Sequence, residues 1–244
     1  WLDSFLDEHK WLVRLLKKFD AIYVESDMMK SALQRRGFEN AVVMYNFKEL
    51  EPLAESDIEY PKSEPYKLCT FSRVMKEKGI EDAINAVESV NAHFGRTVYT
   101  LDIFGQVDVE YKERFSQLEK SFPDYISYGG AIEANKSVET LKSYFTLLFP
   151  TYYKGEGFAG TLIDAMSAGV PVIASDWKYN PEFVVPGNTG VIIKNCNAER
   201  LAEELINIAT APEKWNSMRL SALKESEKYK PDIAARPLID RING

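Results

Sequence analysis

Two pairs of charged residues have the types and the spacing to bind a ligand that carries both phosphate and hydroxyl groups. Arg73 and Lys78 lie five positions apart after an apolar segment, and Glu156 and Asp164 lie eight positions apart across a glycine-rich stretch. Arg binds phosphate through bidentate contacts, and Lys binds it as a point charge. A carboxylate accepts hydrogen bonds from hydroxyl groups. The four side chains are therefore candidates for one site, provided that the fold brings them together.

The loop between Glu156 and Asp164 favours an anion site. Its glycines have no Cβ, so the backbone can adopt positive φ and approach a ligand closely. Residues 161–168 then predict a short helix that ends at Gly169, and the free N–H groups of a first helical turn bind phosphate well. Four loop positions are therefore candidate ligand contacts: Gly157, Phe158, Ala159 and Gly160.

The elements that position these residues alternate between strand and helix from residue 67 onward. This alternation is typical of an α/β fold, a Rossmann-like parallel sheet flanked by helices, in which right-handed crossovers bring the carboxyl ends of the strands to one edge. Ligands bind at that edge, where the strand order reverses. Short apolar runs predict the strands 68–71, 99–104, 125–128, 147–149, 172–175 and 191–193.

Three more residues follow strands of this sheet and so belong to the same edge. Ala131 and Ile132 come after the third strand, where their backbone could hydrogen-bond a ligand, and Glu182 follows a loop after the fifth. The two cations follow the first strand, and the glycine-rich loop follows the fourth. The predicted topology therefore gathers every candidate at the ligand edge.

The region from Glu156 to Gly190 resembles the signature of the retaining glycosyltransferases of family 4. That signature has a Glu, seven residues, a second Glu, and then Ala-Met-x-x-Gly-x-Pro-Val-Ile-Ala-Ser. Here Glu156 is followed after seven residues by Asp164-Ala165-Met166, and Gly169 begins the run Gly-Val-Pro-Val-Ile-Ala-Ser. The resemblance extends from about residue 67 to about residue 210. Asp164 departs from the pattern, since the family has Glu at that position.

This resemblance implies the GT-B architecture of two Rossmann-like domains, with this chain holding the C-terminal, donor-binding half and a fragment of the N-terminal domain. We expect the tail of the N-terminal domain at 1–47, a linker at 48–66, the nucleotide-sugar-binding domain at 67–230 and a C-terminal crossover helix at 231–244. Such a chain would bind donor but be incomplete for activity.

Apolar residues at helical spacing predict helices at both ends of the chain. Residues 1–19 predict one helix, whose apolar side fits a domain core better than a membrane surface. Residues 231–242 predict a last helix interrupted at Pro237.

The family's residue roles carry over to the matching positions. Its members use a similar Arg and Lys to hold the donor diphosphate, a first Glu to contact the donor sugar and a second Glu to bind the ribose. The resemblance therefore implies catalytic roles for Arg73, Lys78 and Glu156, ribose contact for Asp164, and base contact for the loop at 131–132. The implied reaction is retaining transfer from a nucleotide-diphosphate sugar to a glycan or lipid-linked acceptor hydroxyl, in polysaccharide or glycolipid biosynthesis, without a metal or further cofactor.

Three alternatives remain open at this stage. The shorter Asp164 favours a non-catalytic nucleotide-sugar-binding relative. Another GT-B enzyme, such as a sugar epimerase or phosphorylase, would share the same motifs. A dinucleotide-dependent oxidoreductase would need glycines after the first strand, and residues 70–73 contain none.

Composition argues against several other classes. The net charge of −7 is opposite to that of a general nucleic-acid binder, and the two histidines have no ligand-like partners nearby that would predict zinc. Cys69 and Cys196 lie far apart in the sequence, which favours free thiols in a reducing compartment. No apolar run reaches the length of a membrane span. These features predict a cytoplasmic protein, with peripheral membrane contact through the N-terminal domain as a further expectation.

Overall fold

The computed structural model describes residues 2–194 and 196–243, and it contains two parallel sheets. The first sheet has two strands, and its residues precede those of the second sheet in the chain. Its elements are α1 (Leu2–Glu8), α2 (Lys10–Leu16), β1 (Ile22–Val24), α3 (Asp27–Gln34) and β2 (Ala41–Val43).

The second sheet has six strands in the order β5-β4-β3-β6-β7-β8, all parallel. This arrangement confirms the predicted α/β class. Its elements are β3 (Tyr66–Phe71), α4 (Ile80–Phe94), β4 (Tyr99–Phe104), α5 (Lys112–Glu119), β5 (Ile126–Gly130), α6 (Ser137–Leu141), β6 (Thr146–Phe149), α7 (Gly160–Ser167), β7 (Val172–Ser175), α8 (Asn180–Phe183), β8 (Gly190–Ile193), α9 (Ala198–Thr210), α10 (Pro212–Asn216), α11 (Met218–Ser226), α12 (Pro231–Ala234) and α13 (Arg236–Asn243).

The strand order reverses between β3 and β6. The chain first builds outward from β3 to β5 and then returns to the other side of β3 to place β6, β7 and β8. Because successive crossovers on the two sides cover opposite faces, the loops after β3 and β6 diverge and leave a crevice between them. The candidate cations and the glycine-rich loop follow these two strands.

Apolar side chains fill both faces of the six-stranded sheet. One cluster joins the sheet to α4 and α9, and a second joins it to α7 and α8. Strands β6 and β7 are buried at every position because helices cover both of their faces, which explains the apolar runs 147–149 and 172–174 within them.

A buried arginine fixes helix α11 beneath this sheet. Arg219 is fully buried, and its guanidinium donates to the carbonyl oxygens of Tyr144 and Lys142, each at 2.8 Å. Burial lowers the pKa of Arg219 to about 10. Its two recorded acceptors lie just after α6, so the guanidinium ties the chain after α6 to α11.

The helices predicted at the two ends of the chain are interrupted at positions that the sequence did not predict. The helix predicted over 1–19 is two helices, because His9 has non-helical dihedrals (φ −118°, ψ 54°); Trp1 lies outside the described residues. The prediction for 231–242 was right about an interruption but wrong about its place, which is at Ala235. Pro237 lies in the first turn of α13, where the missing N–H costs nothing.

Hydrogen bonds join the first sheet unit to the second. Glu182 of α8 accepts from the backbone N–H groups of Asp27 (2.6 Å) and Met28 (3.0 Å) in the first turn of α3. The Glu25 carboxylate accepts from the N–H of Phe158 at 3.1 Å, and the Asn46 side chain donates to the Phe158 carbonyl at 3.0 Å. The glycine-rich loop and α8 are therefore the attachment points of the first unit.

The stretch 48–66 runs along the second unit. It contains a short 3₁₀ turn at Glu55–Asp57 and the first residue of β3. The N–H of Leu53 donates to the carbonyl of Ser167 at 2.8 Å, and Ile58 is buried. These contacts hold the stretch against α7.

We expect Glu182→Ala to lower the free energy of unfolding by about 1–2 kcal/mol, because two first-turn N–H groups of α3 lose their acceptor. Glu182→Gln keeps an acceptor oxygen and should retain part of this stability. Urea denaturation of both variants measures the effect, with Glu113→Ala at an exposed position of α5 as the matched control. A stability equal to that of the control would contradict the capping role.

Burial raises the pKa of the Cys69 thiol well above its ordinary value and that of Cys196 to about 12. Both thiols are free. We therefore expect neither to react with a disulfide reagent at mildly alkaline pH until the protein is unfolded. Since both folded pKa values exceed the unfolded value of about 8.5, their contribution to stability is present below that pH and is lost as pH rises toward the folded values. Rapid labelling of Cys69 in the folded chain would contradict its burial, and rapid labelling of the half-buried Cys196 would contradict its raised pKa.

Candidate functional site

The ion pair between Lys78 and Glu156 lies in the crevice where the strand order reverses. Lys78 Nζ donates to both carboxylate oxygens of Glu156, at 2.9 and 2.7 Å, and Thr151 Oγ1 donates to Oε2 at 2.7 Å. The Glu156 and Lys78 side chains are 6% and 12% exposed. Two predicted site residues, distant in sequence, are thus in direct contact, and Thr151 is a member of the site that the sequence analysis missed.

A glycine allows the loops after β3 and β6 to approach each other. Gly79 follows Lys78 with φ 71°, a left-handed conformation, and a Cβ there would collide with the carbonyl of Pro150. The same approach places the Lys78 ammonium over the rings of Phe149 and Tyr153, 5.5 and 5.2 Å from their centroids. Two aromatic faces and a carboxylate therefore hold this cation in place.

Arg73 occupies a more open position than Lys78. It follows β3, its side chain is 60% exposed, and its recorded ion pair with Asp108 is long, at 3.8 Å. An exposed pair of this length contributes little energy, so the guanidinium is free to turn toward a ligand.

Asp164 lies in α7 and is almost fully buried. Lys48 Nζ donates to both of its oxygens at 2.6 and 2.7 Å, and Ser137 Oγ donates to Oδ1 at 2.7 Å. Burial raises the pKa of Asp164, and the charge of Lys48 and these hydrogen bonds oppose that shift. Lys48 and Ser137 were missed by the sequence analysis, because Lys48 is 116 residues from its partner and no local spacing links them.

A cavity of about 350 Å³ extends from this second ion pair along the carboxyl ends of β3, β4 and β5. Its volume lies within the range of small-molecule sites. Gly105 has φ 135°, and a Cβ there would collide with the carbonyl of Ser72, so a glycine is needed where these two strands end. The lining residues are Lys48, Phe71, Ser72, Phe104, Gly105, Gln106, Ala131, Ile132, Gly160, Thr161 and Asp164.

The predicted contacts in the glycine-rich loop have different surroundings. Gly160 begins α7 and lines the cavity, and the preceding residue, Ala159, offers no side-chain cap to the first-turn N–H groups. Phe158 instead lies in the core, with its ring stacked on Phe183 at a centroid distance of 3.6 Å. Gly157 packs close to the Glu25 carboxylate. The first turn of α7 is therefore the part of the loop that faces the cavity.

The remaining candidates divide between the cavity and the attachment of the first unit. Ala131 and Ile132 line the cavity, as expected for residues after β5. Glu182 has its carboxylate on the first turn of α3 and does not line the cavity. The structure therefore shows a capping contact for Glu182, and its predicted role as a ligand contact stays a prediction.

Within 2–194 and 196–243, no group of three or more His, Cys, Asp and Glu side chains is arranged to hold a metal ion. None of the helices in this same part of the chain is long and apolar enough to span a membrane.

Known proteins share both the sequence pattern and the fold of this chain. The family model described as "Glycosyl transferases group 1" matches residues 54–225. The GtfA subunit of the UDP-N-acetylglucosamine–peptide N-acetylglucosaminyltransferase of Streptococcus gordonii is 30% identical over 178 residues, covering 70% of this chain and 34% of that protein. The poly(glycerol-phosphate) alpha-glucosyltransferase of Bacillus subtilis is 27% identical over 184 residues, covering 73% of this chain and 26% of the relative.

A solved structure supports the same fold. Anabaena HepE in complex with UDP and glucose superposes with a TM-score of 0.77 at 17% identity, covering 96% of this chain and 66% of that chain. The chain thus spans about a third or less of the two curated relatives named above. Because the family model matches well over half of its residues, this chain belongs to the group 1 glycosyltransferase family.

Proposed function

We propose that this chain provides the donor-binding site of a retaining, family 4 glycosyltransferase that transfers a sugar from a UDP-sugar to an acceptor hydroxyl. The observation that carries the proposal is the Lys78–Glu156 pair, which lies at the strand reversal beside a cavity of nucleoside size. A cation for phosphate and a carboxylate for sugar hydroxyls are thereby adjacent. The names and bound ligands of the relatives support UDP as the nucleotide.

The proposed donor lies along the sheet edge. The nucleoside fills the cavity at β3, β4 and β5, with its base near Ala131 and Ile132. The diphosphate lies between Arg73, Lys78 and the uncapped first turn of α7, where cations and backbone N–H groups favour negative charge. The sugar then reaches Glu156.

The chemistry follows from this placement. As the glycosidic bond to the diphosphate breaks, negative charge develops on the leaving phosphate, and Arg73 and Lys78 stabilise it. In the proposed retaining reaction the leaving diphosphate takes up the proton of the acceptor hydroxyl, so the protein supplies positioning and fixed charge rather than a nucleophile. Glu156 orients the sugar and holds Lys78 in place through direct hydrogen bonds.

The proposed acceptor is a glycan or lipid-linked hydroxyl in polysaccharide or glycolipid biosynthesis, at or near the cytoplasmic face of the membrane. The name of the poly(glycerol-phosphate) alpha-glucosyltransferase supports a polymeric acceptor and an α-linked product. An α-linked product formed from an α-linked sugar nucleotide would be a product of retention. We assign acceptor recognition to groups outside residues 67–230, and 1–47 to the acceptor-side domain.

A second candidate is a nucleotide-sugar-binding relative that has lost transfer. The observation that favours it is the engagement of Asp164 by Lys48 and Ser137, which leaves this carboxylate less free than an exposed Glu. Product analysis with labelled UDP-sugar and the full-length protein separates the two, because turnover excludes the binding-only function.

We expect UDP and UDP-sugars to stabilise the chain against heat more than GDP or ADP and their sugars do. A ligand present at a hundred times its Kd adds about 2.7 kcal/mol to the free energy of unfolding. A thermal-shift panel at equal ligand concentrations measures this difference. No shift with any nucleoside diphosphate would contradict the proposed site. A larger shift with GDP or ADP would indicate that the site binds guanine or adenine instead of uracil.

We expect Arg73→Ala and Lys78→Ala each to weaken UDP binding about tenfold or more, because each removes a charged hydrogen-bond donor from the diphosphate. Isothermal titration calorimetry measures the affinities. Lys76→Ala is the matched control, since Lys76 lies in the same loop but is exposed.

Lys78→Ala also leaves Glu156 buried without its cation, which could unfold the protein. The double variant Lys78→Ala/Glu156→Gln removes both charges, so no unpaired carboxylate stays buried. We expect it, too, to bind UDP more weakly, because the Lys78 ammonium is missing. Affinities equal to that of the Lys76 control would show that the diphosphate lies elsewhere.

A further inference from the structure

The Lys48–Asp164 ion pair forms one wall of the cavity proposed for the nucleoside. Both residues line it, together with Gly160 and Thr161 at the start of α7. The aliphatic part of Lys48 lies across this helix start, since a Cβ at Gly160 would be only 3.5 Å from Lys48 Cδ. Lys48 therefore contributes to the cavity wall, and Asp164 holds its ammonium at a fixed position.

The hydrogen-bonding capacity of Asp164 is largely used within the protein. A carboxylate offers about four acceptor positions. Lys48 occupies one on each oxygen, and Ser137 occupies another on Oδ1. About one position remains, so Asp164 by itself can accept from a single ligand hydroxyl at most.

Lys48 retains hydrogen-bonding capacity beyond its two bonds to Asp164. Its ammonium has three N–H donors, and its recorded acceptors among the described residues are the two Asp164 oxygens. The Lys48 side chain is 27% exposed, whereas that of Asp164 is 2% exposed. Of the two partners, Lys48 is thus the one more accessible to a ligand.

We propose that Lys48 is a specificity-determining residue that donates a hydrogen bond to a ribose hydroxyl of the nucleotide, while Asp164 holds its ammonium in place and accepts from a ribose hydroxyl through its remaining position. This inference rests on the proposed function and adds Lys48 to the site. A vicinal diol fits such a pair, since each hydroxyl can both donate and accept. The Lys48 ammonium thereby adds a hydrogen-bond donor beside the Asp164 carboxylate, which is one methylene shorter than that of a Glu.

The charge of the pair argues for a hydroxyl over a phosphate as the partner of Lys48. The buried Asp164 carboxylate neutralises the ammonium from 2.6 Å away, so the pair as a whole carries no net charge to attract an anion. Lys78 is paired with Glu156 in the same way, so the net positive charge for the diphosphate comes from Arg73 and the first turn of α7, with Lys78 as a further N–H donor. The cavity wall formed by Lys48 is thus suited to the neutral, hydroxylated part of the ligand.

The test is the affinity of Lys48→Met for UDP, 2′-deoxy-UDP and 3′-deoxy-UDP, measured by titration calorimetry. Methionine keeps the length and apolar character of the stem but removes the donor. We expect the variant to bind UDP about tenfold more weakly than wild type, as for loss of one hydrogen bond from a charged group. We also expect it to lose the preference of wild type for UDP over at least one deoxy analogue. Lys62→Met, at an exposed position in the same stretch, is the matched control.

A second pair of variants keeps the test decisive if Lys48→Met does not fold with Asp164 buried and unpaired. Asp164→Asn retains the ammonium, and Lys48→Met/Asp164→Asn lacks it, while neither contains the buried carboxylate. We expect the double variant to bind UDP about fivefold or more weaker than Asp164→Asn. Equal affinities of these two variants for UDP would overturn the role of Lys48 and leave the proposed function intact. Absence of UDP binding by the wild-type chain would overturn both.

Discussion

The contact between Lys78 and Glu156 is the interaction on which the rest of the site depends. Each charge would be costly to bury alone, and each is supplied by a loop from a different side of the strand reversal. Their pairing, together with the left-handed Gly79 against Pro150, fixes the distance between the two loops. The first turn of α7, which lines the cavity, begins four residues after this carboxylate. The reversal of strand order creates the crevice, and the ion pair determines its chemistry.

Much of the fold could be predicted from local patterns because its central strands are covered on both faces. Strands β6 and β7 are buried at every position, so apart from the terminal Thr146 and Ser175 they consist of apolar residues. Parallel connectivity then places whatever follows β3 and β6 at one edge, which is why Arg73, Lys78 and the glycine-rich loop could be assigned to it without knowledge of contacts. These predictions used short-range signals and one general rule of chirality.

The missed features depend on partners that are remote in the chain. Lys48 meets Asp164 across 116 residues, and Glu182 meets the first turn of α3 across more than 150. Composition in each case predicts only a charged surface residue, and no periodicity indicates which distant group lies opposite. Arg219 shows the same limit in the core, where a guanidinium is fully buried because two carbonyl oxygens after α6 accept from it. Only the folded chain reveals such pairings.

The two hydrogen bonds at Phe158 have a consequence for how this protein can be divided. Its N–H and its carbonyl are satisfied by Glu25 and Asn46, which both belong to the first sheet unit. An excised six-stranded domain would expose an amide and a carbonyl that water must then solvate, next to the turn that leads into α7. The shape of the backbone that leads into α7 is therefore determined by both units, and displacement of one unit against the other would alter the loop at the same time.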